Sequence, residues 1–293
     1  MKKLATLLSI IIGGMVWQQM RYLSARRNRV QDRQPMLYPA ERFHVITFLD
    51  TTEGQDVIDS VRALKQQIDV GPGTLIYAGQ AAFTMPSTQL RPRNWDAVVL
   101  VQYPSLASYD ETAASDRYKD ALAAFDETYS HGMVRNPVLN LAIHQALLVL
   151  ATIDIVTGNR EMPPLVPSSE TSGAPPQLNE RVADLQRMSA VNDDALFVFN
   201  LSKPGTPEQQ AADASYGRNM MTRMARLGHG PMHIGRAVTV EGDAEFENAI
   251  VVYYPGASYF AQLVGSTFFG GIIGDKQLGD TQVVPTVPIT DRL

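Results

Sequence analysis

Histidine is the side chain whose ordinary pKa lies closest to neutrality, and two of the five histidines in this chain, His44 and His233, fall in runs that read as β-strands. On a strand face that closes over a cavity, such a group can take or give a proton. His44, His233 and Tyr77, which holds the place of His233 in a matching segment, are therefore the candidate catalytic residues. A lone strand histidine also serves as plain packing, and the sequence leaves both readings open. His229 and His233 have the spacing of two metal ligands on one helix turn, but Gly228-His229-Gly230-Pro231 cannot be helical and no carboxylate accompanies them, so no metal site is expected. His131 and His144 lie outside the strands read from the sequence and are expected at the surface or against helices. Cysteine is absent, which excludes thiolate ligands, disulfides and a Cys nucleophile. Gly270-Gly271-Ile272-Ile273-Gly274 lacks the preceding strand and the lysine of a phosphate loop. There is no Gly-x-Ser-x-Gly elbow, and no cofactor is expected.

The elements that must position these groups come in two copies. A β-rich run ending Tyr103-Pro104, followed by Ala107-Ser108-Tyr109, is echoed by one ending Tyr254-Pro255, followed by Ala257-Ser258-Tyr259. Residues 75–81 match 231–237, and the strands 43–49 and 195–201 open the copies. An internal duplication fixes the folding unit before any residue is given a role. Because strand side chains alternate between faces, aligning the opening strands at a spacing of 152 residues puts Asn200 opposite Phe48 and on the same face as His44. A helix-covered face tolerates an unpaired polar group poorly, so this face is expected to line a cavity. Asn200 is accordingly an expected ligand-binding residue, as are the matched strand-ending tyrosines Tyr103 and Tyr254. Arg236 and Asn248 join them because they replace Gln80 and Ala97 of the first copy and would mark the copy that retains a site. Arg236 would neutralise an anionic ligand, or else is a surface residue on an edge strand.

Helical periods alternate with the strands. Val57, Val61, Leu64 and Ile68 share one face of 54–68, and Thr206-Pro207-Glu208 opens the equivalent helix, with Met220, Met221, Met224 and Leu227 on its inner face. A second helix follows each Tyr-Pro, at 105–125 in the first copy and broken near Gly270 in the second, and 281–285 reads as a fourth strand. Each unit therefore reads β-α-β-β-α-β, the ferredoxin-like order. The expected division is a first repeat at 43–136, an apolar packing helix at 137–158, a Pro/Ser-rich linker at 159–192 and a second repeat at 193–290.

Ahead of the repeats, Lys2 and Lys3 precede an apolar run from Leu4 to Trp17, with no small-residue cleavage site after it. Residues 1–20 are read as a membrane anchor in a bacterial inner membrane, or as an export signal, and 21–42 as a basic linker. The arginines from Arg21 to Arg33 favour a cytoplasmic body, whereas the Lys-Lys start is an export pattern, so the side stays open. The membrane is the expected partner. A net charge of −5 without a basic stripe beyond residue 33 argues against nucleic acid.

With the repeats laid out, the chain resembles the dimeric α+β barrel superfamily, and within it YciI-like, EthD-like and antibiotic-biosynthesis-monooxygenase-like domains. The likeness rests on Trp95-Asp96, Tyr103-Pro104-Ser105 and Ser115-Asp116-Arg117-Tyr118, and in the second copy on Phe246-Glu247, Tyr254-Pro255 and Ser266-Thr267-Phe268-Phe269. It implies an α+β fold in which two tandem ferredoxin-like repeats form one barrel with a cavity between the sheet faces. Members include cofactor-independent oxygenases, isomerases and haem-binding relatives, so the resemblance fixes no activity. The expectation is a membrane-tethered protein that binds a small molecule between its sheets. The alternatives are a cofactor-independent monooxygenase or isomerase acting on an aromatic or polyketide-like substrate, and a protein-interaction scaffold.

Overall fold

The computed structural model describes residues 41–158, 164–167, 176–227 and 230–293, with residues 5, 6, 9, 11–17, 20 and 24 near the N-terminus. The first copy supplies strands β1 (Phe43–Thr51), β2 (Thr74–Ala81), β3 (Ala97–Tyr103) and β4 (Phe125–Arg135). The second supplies β5 (Leu196–Lys203), β6 (Gly230–Thr239), β7 (Asn248–Tyr254) and β8 (Asp280–Pro288). All pairings are antiparallel, and the strands close in the order β1-β3-β2-β8-β5-β7-β6-β4. Each copy is thus one half of a single α+β barrel, and closure leaves no unpaired sheet edge.

Two seams join the halves, β2 to β8 with Gly79 opposite Pro288, and β6 to β4 with Gly235 opposite Arg135. The matched glycines lie at equivalent places on these seams for a steric reason. A Cβ on Gly79 would come 2.3 Å from the Tyr77 hydroxyl, and one on Gly235 would come 2.5 Å from the Val134 carbonyl oxygen.

Helices α1 (Val57–Ile68), α2 (Leu106–Ala114) and α3 (Asp116–Leu122) cover the first sheet. The second is covered by α4 (Pro137–Val156), α5 (Pro176–Ser189), α6 (Pro207–Leu227), α7 (Ala257–Val264) and α8 (Thr267–Ile272). α1 starts where the Asp56 carboxylate accepts the N–H groups of Ile58 and Asp59, and it buries Ile58, Val61, Leu64 and Ile68 at the expected spacing. Three apolar clusters result, one under each helical layer and one inside the barrel.

Several expected elements are divided differently. The helix expected over 105–125 breaks at Ser115, which is extended (ψ 139°) and caps α3, and Phe125 already begins β4. In the second copy the break falls at Gly265-Ser266, where the Ser266 hydroxyl caps α8, rather than at Gly270, which is buried within that helix. The Pro/Ser-rich stretch contains α5, whose Leu185 is buried beside Val182 and Met188 in the second outer cluster. Helical spacing of these residues outweighs the polar composition around them. The expected membrane segment and basic linker lie largely outside the described residues, as do His229 and most of 159–175.

Candidate functional site

The faces of the strands decide which residues can meet. On β1, Ile46 and Phe48 point into the barrel with His44 in the same alternation, while Phe43, Val45 and Leu49 pack under the first helical layer. On β5, Phe197, Phe199 and Leu201 point inward, so Asn200 faces the other way, its amide donating to the carbonyls of Val198 (3.0 Å) and Ile250 (3.3 Å). The expectation that Asn200 shares a face with His44 is corrected by one residue of register. Phe43 pairs with Tyr103 as Leu196 pairs with Tyr254, so the opening strands correspond at a spacing of 153 and every side chain changes face.

Tyr103 and Tyr254 also point away from the lumen, Tyr103 against Tyr109 (ring centroids 5.4 Å apart) and Tyr254 against Phe260 (4.5 Å). Arg236 and Asn248 sit opposite each other on β6 and β7 and are exposed. The structure therefore gathers His44, Tyr77 and His233 in the lumen and leaves the five expected ligand-binding residues outside it.

The lumen is filled, which corrects the expected cavity between the sheets. Ile46, Phe48, Leu100, Phe197 and Phe199 are fully buried there. Tyr77 packs on Phe197 at 4.8 Å, and its hydroxyl shares a 2.7 Å hydrogen bond with Thr286 Oγ1. His44 and His233 lie 5.7 Å apart between ring centroids. Their hydrogen bonds fix which nitrogen carries the proton. His44 Nδ1 is 3.3 Å from the Arg42 carbonyl, which can only accept, so Nδ1 donates. Arg135 Nε donates to His233 Nδ1 at 3.2 Å, so that nitrogen accepts. Burial, with Arg135 nearby, lowers the His44 pKa to about 4 and keeps the ring neutral.

An open site lies at one mouth of the barrel, a cavity of about 530 Å3 reached from the far end of β1. Trp95 and Tyr129 line it with three carboxylates, Glu127, Glu241 and Asp243, and one cation, Arg91, which is largely exposed and lies 3.9 Å from Glu127. Trp95 is held by its backbone N–H donating to Thr84 Oγ1 at 2.9 Å and by packing on Phe48 (5.9 Å). Arg93 is ion-paired to both Asp50 and Glu127 and lies 5.7 Å from the Trp95 ring centre. Glu241 accepts the Ser130 backbone N–H at 2.7 Å, and burial raises its pKa.

Just inside the mouth, Tyr129 Oη lies 2.9 Å from His131 Nδ1. Burial lowers the His131 pKa to about 4 and raises that of Tyr129, so a neutral phenol and a neutral imidazole share this hydrogen bond. His131 was expected outside the strands and is instead a buried residue of β4. The alternation Tyr129, His131, Met133 was the available signal, and it was hidden by extending a helix to residue 125. A second, smaller cavity of about 310 Å3 lies among α1, α2 and α3, beside Gln67, Glu111 and Tyr118.

No family model matches the chain, and no curated protein is similar to it. Among solved structures it is similar to a dye-decolorizing protein from V. cholerae, with 11% identity over 88% of this chain and 97% of that one and a TM-score of 0.47. It is also similar to a mutant chlorite dismutase from Candidatus Nitrospira defluvii (7% identity, 88% and 97% covered, TM-score 0.45) and to an anthrone oxidase-like protein (10%, 87% and 96%, TM-score 0.39). These distant likenesses carry no residue role across, and the barrel topology stands on the strand pairings themselves. His44, His131 and His233 are each buried in side-chain packing, and none lines either cavity.

Proposed function

We propose that the protein binds a small, flat, cationic molecule at the mouth of its barrel. The mouth cavity carries this reading, because aromatic walls from Trp95 and Tyr129 meet the carboxylates of Glu241 and Asp243, which make no ion pair among the described residues. An aromatic surface beside two carboxylates, of which Glu241 is partly desolvated, favours an organic cation over a neutral or anionic ligand. Burial alone disfavours an ionised Glu241, and an arriving cation offsets that penalty. Tethering to a bacterial inner membrane through residues 1–20 belongs to the same reading and rests on the apolar run and its arginine flank. The Tyr129–His131 couple supports a second reading, an isomerase that moves a proton on a bound aromatic molecule.

The test is a fluorescence titration with naphthylmethylammonium and its neutral counterpart naphthylmethanol. The cation is expected to bind at least about tenfold more tightly than the alcohol, a difference of 1.4 kcal/mol. Glu241→Gln and Trp95→Ala should each weaken cation binding while the circular dichroism spectrum is retained. Equal binding of the two probes, or binding untouched by both substitutions, removes the proposal.

A further inference from the structure

We propose that the outer face of α4 rests on a lipid bilayer, an inference that builds on the tether just described. The inner side of α4 packs through Ile143, Leu147, Leu150 and Ala151 into the second outer cluster. Its outer side packs against nothing among the described residues. Leu139, Val149, Ile153 and Val156 are 41%, 56%, 51% and 79% exposed, and with Ala142 and Ala146 they recur at alternating spacings of three and four, one continuous helix face.

No Asp, Glu, Lys or Arg occurs from Pro137 to Ile153, so this face lacks the charges that usually keep an exposed helix in water. The helix is also long and apolar enough to cross a membrane by length and composition. A full crossing is opposed by the Asn140 side chain, which is bonded to the backbone of Ile234 in β6, and by the packed inner face. Lying along the surface keeps both contacts.

The choice of a bilayer follows from where the N-terminal segment joins the fold. The Arg42 carbonyl accepts the Arg135 N–H at 2.8 Å, two residues before α4 begins, so the chain coming from the tether enters beside the start of this helix. That same segment exposes Ile11, Ile12, Val16, Trp17 and Met20 and is followed by Arg21, Arg26, Arg27, Arg29 and Arg33, which suit anionic head groups. A membrane held by the tether is therefore within reach of α4, since 20 residues separate Met20 from Glu41. A second copy fits less well. A face one helix wide and about 30 Å long offers well under the ~800 Å2 per partner of a stable protein interface.

The chain has no cysteine, so full-length single-cysteine variants can each carry one environment-sensitive fluorophore. In vesicles of phosphatidylcholine and phosphatidylglycerol, labels on Val149→Cys and Ile153→Cys are expected to lose more than half their emission to acyl-chain nitroxides and to resist aqueous iodide. A label on Val70→Cys, exposed beyond α1 on the other helical layer, should behave in the opposite way. Ile12→Cys reports on the tether separately. If the label at 12 is quenched from the lipid while those at 149 and 153 stay open to iodide, the α4 contact is overturned and the tether stands; if all are open to iodide, both fall. Cross-linking of residue 149 between two copies without lipid quenching overturns the proposal in favour of a dimer face.

Discussion

The His44 and His233 rings, 5.7 Å apart beside the β4–β6 seam, stand where the β2–β8 seam packs Phe197 on Tyr77 at 4.8 Å. The strand pairings make this an equivalence, since His44 corresponds to Phe197 in the opening strands and His233 to Tyr77 in the strands that carry the seam glycines. Arg135, opposite Gly235, corresponds to Pro288 opposite Gly79. The β2–β8 seam thus has an aromatic pair beside a hydroxyl, and the β4–β6 seam an imidazole pair beside a guanidinium.

Acid sensitivity follows from the buried histidines. His44 and His131 have pKa values lowered from 6.5 to about 4, so below pH 6.5 the unfolded chain takes up protons that the folded chain refuses. Their contribution to stability is complete above pH 6.5 and is lost as pH falls toward 4, up to roughly 3 kcal/mol for each group. Urea unfolding midpoints should therefore decline steadily across that window. His44→Phe, which copies Phe197 at the equivalent position, should remove its share of the slope; an unchanged slope would assign the titration elsewhere.

The seam between β2 and β8 predicts a coupled pair of substitutions. Tyr77→Phe removes the 2.7 Å bond to Thr286, whose hydroxyl keeps its bond to the Phe197 carbonyl. A loss of about 1 kcal/mol is expected. Gly79→Ala forces a Cβ against the Tyr77 hydroxyl and the Thr286 side chain and should cost about 1–3 kcal/mol. In the Tyr77→Phe background that cost should shrink without vanishing, because Thr286 Cβ still lies 2.8 Å from the new methyl. A double-mutant cycle by chemical denaturation gives the coupling, and strict additivity would contradict the contact.

Arg93 holds Asp50 and Glu127 together beneath the mouth and covers part of Trp95. Replacing it by Gln leaves Glu127 only its looser pair with the exposed Arg91 (3.9 Å) and uncovers the ring, so naphthylmethylammonium should bind several-fold more tightly. The groups are partly exposed, so the stability cost should stay near about 1 kcal/mol. A weaker titration with intact folding would mean that Arg93 positions the site and does not compete with a cation.

Much of this architecture was legible in the sequence, because a duplication with Tyr-Pro corners and matched glycines constrains which strands can close a barrel. Strand faces were less legible. A spacing of 152 in place of 153 was enough to move Asn200 from the outer face to the lumen, since strand side chains alternate with period two. The mouth site was harder still to read. Trp95, Tyr129 and Glu241 come from a loop, a strand and a turn that share no motif, and only barrel closure brings them to one cavity. His131 was missed because its strand begins directly after a short helix, with no Gly or Pro between them.

Asn140 predicts how α4 is held to the barrel. Beyond Gly235, β6 has no further partner on β4, and the Asn140 side chain takes the place of one, its Oδ1 accepting the Ile234 N–H at 3.1 Å and its Nδ2 donating to the Ile234 carbonyl at 2.7 Å. The Ile234 carbonyl also receives the Asn136 N–H, so removing the side chain strands chiefly the Ile234 N–H. Asn140→Leu should therefore destabilise the protein by about 2 kcal/mol. Gln has the same amide at a different reach and should recover little of that loss. Hydrogen exchange gives the sharper test, because α4 amides should lose protection in Asn140→Leu while those of β1 and β3, paired on both sides within the barrel, keep theirs. Equal loss in all three elements would mean that α4 and the barrel open as one unit.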